Sequence, residues 1–148
     1  MLLPVMVFSQ LSGSSSANVV VRLNPLLSIS VVSPSVVLEY DTKSDYLDGV
    51  STSLEDHLET FSTIPYEVTA RYISSDLDAS TLAIEGSGSF GKVKYFGISL
   101  SDTPQRFMES SVGGGRKFHN VKYSVDKPMW DKEMKDYDTV VLYEIVPL

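Results

Sequence analysis

Apolar and polar residues alternate along much of this chain in short runs, each closed by a turn signal. Residues 18–23 (NVVVRL) place Val19, Val21 and Leu23 on one side of an extended segment and Val20 and Arg22 on the other. Asn24-Pro25 ends that run. Residues 26–32 form a second candidate strand, with Leu27, Ile29 and Val31 opposed to Ser28 and Ser30. After the turn at Ser33-Pro34-Ser35, residues 36–40 read as a third. Residues 66–73 set Tyr66, Val68, Ala70 and Tyr72 against Glu67, Thr69 and Arg71, and residues 117–125 set His119, Val121, Tyr123 and Val125 against Phe118, Asn120, Lys122 and Ser124. Residues 139–146 close the chain as an apolar strand ahead of Pro147.

Other segments give mixed signals. Residues 41–49 (DTKSDYLDG) read as a polar loop with a glycine stop. In residues 54–61, Leu54, Leu58 and Phe61 fit a helical turn. The short gap before the next strand favours a strand in the second half. Residues 82–84 are a short strand, and residues 93–100 a longer one with Gly97 as a bulge. Residues 105–110 are expected to hold a short helix, and Gly113-Gly114-Gly115 a flexible tip. Seven or eight strands spaced by about ten residues, without a long helix, predict an all-β fold. The expected architecture is a single immunoglobulin-like antiparallel β-sandwich over residues 17–148.

Composition agrees. The chain has 148 residues, enough for one domain with a real core. Eighteen valines, eight tyrosines and eight threonines suit pleated surfaces, while four alanines and two glutamines leave few strong helix formers. A net charge of −7 disfavours nucleic acid and anionic membranes as partners. With no cysteine, disulfides, thiolate metal sites and a cysteine nucleophile are excluded. Residues 1–8 (MLLPVMVF), followed by Ser9-Gln10 and a Ser/Gly stretch, resemble an export signal whose mature chain begins at glutamine, without a basic segment ahead of it. Residues 1–16 are then a signal-peptide remnant and flexible leader. The location is secreted or at the cell surface, with no transmembrane segment.

Candidate chemistry is thin. Residues 86–93 (GSGSFGKV) reproduce the GxGxFGxV of a kinase phosphate loop, but no VAIK, HRD or DFG follows, and turn geometry alone accounts for the glycines. Asp41, Asp45, Asp48 and Gly49 lack the alternating spacing and distal Glu of an EF-hand loop. His57 lies among Glu55, Asp56 and Glu59, which would raise its pKa and equip a small hydrolase if a cleft held them together. His119 reads as an ordinary strand residue. The inventory predicts no catalytic, cofactor or metal site. Trp130, with Tyr123 and Tyr137, is the candidate aromatic platform for a glycan.

Residues 18–29 (NVVVRLNPLLSI), 36–50, 61–69 (FSTIPYEVT) and 136–143 (DYDTVVLY) together resemble the strand grammar of secreted pilin-like and spore-coat-U-like β-sandwich subunits. The usual tyrosine-glycine ending is replaced by Lys135-Asp136-Tyr137, and the paired cysteines of many fimbrial subunits are absent. The resemblance implies a structural or adhesive subunit that binds protein, including copies of itself, by β-strand addition. Val19, Val21 and Leu23 would be the inserted face. The same residues also suit the sandwich's own first strand, the simpler reading because every isolated sandwich needs such a strand.

Overall fold

The computed structural model describes residues 12–77, 81–126 and 128–148. The export-signal reading of residues 1–8 therefore lies outside the described residues. Nine strands and one short helix follow in the order β1 (Leu27–Val31), α1 (Lys43–Asp48), β2 (Val50–Ser62), β3 (Tyr66–Ser75), β4 (Leu82–Ser87), β5 (Val93–Tyr95), β6 (Ile98–Ser99), β7 (Gln105–Ser110), β8 (Gly115–Val125) and β9 (Thr139–Pro147). They form two sheets, β1-β2-β8-β4-β6 and β5-β7-β3-β9, in which every pairing is antiparallel. The alternating faces meet between them. Leu58, Leu82, Ile84, Val121 and Val125 of one sheet and Tyr66, Val68, Ala70, Phe107 and Tyr143 of the other make up the core, with Leu100.

Serine hydroxyls end β2, β3 and β7, and a fourth lies two residues past β6. The Oγ of Ser62, Ser75, Ser101 and Ser110 each donates to the carbonyl two residues on and accepts that residue's N–H. A serine at a strand end satisfies in this way the main-chain groups that the ladder abandons. The abundance of serine between apolar runs thus has a structural use.

Several expectations are corrected. Residues 41–49 are not simply a loop. Thr42 caps α1 by accepting from Asp45 N–H, and Asp45 returns its carboxylate to the main chain of Asp41 and Thr42. Residues 105–110 are strand β7 rather than helix: a bulge opposite Val68/Thr69 turns both Phe107 and Met108 inward and erases the alternation. The stretch 93–100 is two strands, since β5 joins one sheet and β6 the other, and Gly97 sits at the crossing. Residues 36–40 enter no ladder, although Val36, Leu38 and Tyr40 pack against the core. Gly113 at the expected flexible tip is buried. Gly86 lies in β4 on the floor of the core, where a Cβ would meet Tyr95 Cδ1 at 2.7 Å and Phe107 Cζ at 2.9 Å. It is required for close approach rather than for a hairpin tip.

Residues 18–23 are described, and they belong to no strand. Val19, Val20, Val21 and Leu23 are 79–89% exposed. The first strand of the sandwich starts only at Leu27.

Candidate functional site

The inner faces of β2 and β8 carry both histidines of the chain. β8 alternates cleanly, which turns Lys117, His119, Val121, Tyr123 and Val125 inward. β2 reaches the same layer differently. Leu54 pairs with Val121 and Leu58 with His119, so Glu55, Asp56 and His57 together oppose Asn120. Asp56 adopts φ 51° and donates its N–H to Asn120 Oδ1 at 2.9 Å. Aspartate tolerates this left-handed conformation better than most residues. The bulge swings His57 into the core while Glu55 and Asp56 face solvent.

Two hydrogen-bonded groups result. His119 Nε2 lies 2.8 Å from Thr60 Oγ1 and its Nδ1 lies 2.6 Å from the Tyr95 hydroxyl. Thr60 Oγ1 continues to the Tyr66 hydroxyl at 3.2 Å. Phe90 packs against the same ring, and Lys117 Nζ, donating to Gly113 O, lies 5.7 Å from the Phe90 centroid. His57 Nε2 lies 2.7 Å from the Tyr123 hydroxyl, which lies 2.6 Å from that of Tyr143. His57 Nδ1 has no hydrogen-bond partner.

Burial dominates the electrostatics. It holds the His119 pKa down to about 4, with the Lys117 charge acting in the same direction. It also lowers His57. The Tyr95 phenol is pushed up to about 12 by burial and by Tyr66, and Tyr123 and Tyr143 are raised by burial as well. Both imidazoles are neutral near pH 7, at 0–1% exposure. They work as hydrogen-bonding posts that tie β2 and β8 to β3, β5 and β9. The rise expected for His57 from its acidic neighbours is overturned, because the bulge sends those carboxylates outward and leaves the imidazole with Tyr123.

The aromatic platform is not brought together. Tyr123 is 5% exposed and committed to His57 and Tyr143, whereas Trp130 is 59% exposed in the segment before β9. Tyr137 is half-buried and donates to Glu133 O. Asp45 and Asp48 spend their carboxylates on α1 itself, Asp48 accepting from Ser44. Among the described residues no cluster of three or more metal-ligating side chains occurs, and no helix is long and apolar enough to cross a membrane.

Removing the shared hydroxyl tests the second network. Tyr123→Phe leaves His57 Nε2 and Tyr143 without their partner, and a loss of about 2 kcal/mol is expected by urea unfolding. Tyr137→Phe, which removes one exposed hydrogen bond to Glu133 O, is expected to change stability by no more than about 0.5 kcal/mol. Equal effects for the two would refute the role of the buried network.

No protein-family model matches the chain, and no curated protein matches its sequence.

Proposed function

We propose that the chain is a secreted structural or adhesive surface subunit, an immunoglobulin-like β-sandwich that assembles by β-strand addition between copies. The observation that carries this reading is the state of residues 18–23. Four large apolar side chains stand 79–89% exposed on a segment outside the sheets. Burying Val19, Val21 and Leu23 on one face is worth about 1.5–3 kcal/mol each. The same segment is β-branched, bears one charge at Arg22, and has the alternation a sheet accepts. An exposed segment with this alternation, outside the sheets, is what strand addition uses.

Light scattering tests it. The full chain is expected to form oligomers whose mass rises with concentration, and Val19→Asp with Val21→Asp is expected to return it to monomer. Substitution at these exposed positions leaves the core untouched, so unfolding should not follow. A full chain that stays monomeric at high concentration would refute the reading.

A further inference from the structure

Lys117 is the one buried cation among the described residues, 8% exposed on the inner face of β8. No carboxylate lies within ion-pair distance of it. Its ammonium carries three donors, and the structure gives it one acceptor, Gly113 O at 3.2 Å, with the Phe90 ring beyond. Burying a charge is costly unless it is paired and hydrogen-bonded. The ordinary solution, an aspartate or glutamate facing the lysine, is not used here.

The hairpin tip between β7 and β8 shows the same imbalance in its main chain. Ser111 N–H donates to Lys92 O and Val112 N–H to Ser110 Oγ. The next two, Gly113 N–H and Gly114 N–H, donate to no group among the described residues. Gly113 is buried, and buried main-chain donors are rarely left without an acceptor. The ammonium adjoins both residues. It donates to the Gly113 carbonyl, and a Cβ added to Gly114 would stand 2.6 Å from Nζ. The tip is also held in place, since a Cβ on Gly113 would overlap the main chain of Thr63 and Ile64.

We propose that this hairpin tip is a binding site for an oxyanion, a phosphate or sulfate group held by the Lys117 ammonium and the N–H groups of Gly113 and Gly114. Such a group presents a separate oxygen to each donor and neutralises the buried charge. Burial alone holds the Lys117 pKa below the ordinary lysine range, and a bound anion would raise it again. The charge of the molecule is arranged to suit this. Residues 62–66, 87–92 and 110–115, which meet at this end, contain no Asp or Glu and one cation, Lys92. Asp41, Asp45, Asp48 and Asp126 lie at the other end of β2 and β8. The site is independent of how the subunits assemble.

The test is an NMR titration of the full-length 15N-labelled chain with inorganic phosphate, exchanged for chloride at constant ionic strength and pH 7. The amide resonances of Gly113 and Gly114 are expected to shift and saturate. Lys117→Met keeps an apolar stem without the charge, and is expected to weaken binding about tenfold or more. Lys92→Met, at an exposed lysine, is expected to leave it within about twofold. A second readout needs no variant. Trace acetylation of the unaltered chain, read by mass spectrometry, is expected to show phosphate protecting Lys117 and no other lysine. Glucose 6-phosphate and glucose 6-sulfate form the remaining arms: tighter binding than inorganic phosphate places the oxyanion on a larger ligand, and equal binding identifies the free ion. Shifts that fail to saturate, shifts that persist unchanged in Lys117→Met, or acetylation of Lys117 that phosphate does not slow would each overturn the site.

Discussion

Alanine in place of Gly49 is expected to destabilise the protein by about 3 kcal/mol or more, lowering the unfolding temperature by about 10 °C. Gly49 ends α1 and begins the turn into β2 at φ 88° and ψ 179°, a region essentially closed to side chains, while its N–H returns to Asp45 O. A Cβ there would also overlap the Val125 carbonyl oxygen and lie 2.7 Å from Asp126 Cα. Both obstacles are main chain, held by the pairing of Val50 with Val125, so neither can turn aside. Relief requires moving the first pair of the β2–β8 ladder, the largest strand contact in the molecule. Gly97 provides the comparison, since a Cβ there meets nothing within 4 Å. Thermal unfolding that ranks Gly49→Ala level with Gly97→Ala would show that this junction yields more easily than its geometry implies.

The same junction illustrates what could be read from the sequence. The glycine stop was visible at Gly49, yet the short polar stretch suggested a loop, and the capping box of Thr42 and Asp45 emerged only from the structure. Strands β1, β3 and β8 were legible because apolar and polar residues alternate along most of their length, and β9 because it is an apolar run ahead of a proline. β2 was legible only in its second half and β7 not at all, and for one reason. Three residues of β2 oppose Asn120, which spaces Leu54 and Leu58 like a helical face, and the β7 bulge buries two neighbours in succession. A bulge is fixed by the partner strand, so its signal does not lie in the segment that carries it.

Residues 18–23 and the buried networks differ in legibility. Val19, Val21 and Leu23 were recognisable as a strand face, but whether that face was used internally depended on where β1 began. His57 and Tyr123 are 66 residues apart, and His119 and Thr60 are 59 apart. Nothing local marks such pairs. The one available hint was that His119 shares its face with Val121, Tyr123 and Val125, which made it an inward residue before its partners were known.

Acid is expected to weaken the fold through His119. Its imidazole lies against Thr60 of β2, itself bonded to Tyr66 of β3, and against Tyr95 of β5, the Phe90 ring and Lys117 of its own strand, with no carboxylate among these neighbours. Protonation adds a cation beside Lys117 in a site closed to water. The folded pKa of about 4 lies below the ordinary 6.5, so the unfolded chain binds the proton more tightly. Stability from this residue is complete above about pH 6.5 and is lost as pH falls toward 4. Between pH 7.5 and pH 5 the loss is about 2 kcal/mol. His57, lowered by burial, acts in the same direction. Surface carboxylates with depressed pKa values lose their contribution at lower pH, in the ordinary carboxylate range, so the interval above pH 5 isolates the histidines. Urea unfolding at pH 7.5 and pH 5 measures the slope. In His119→Gln, which is less stable at neutral pH but carries no titrating group at that site, the slope should fall to what His57 supplies. An unchanged slope in that variant would place the acid sensitivity elsewhere.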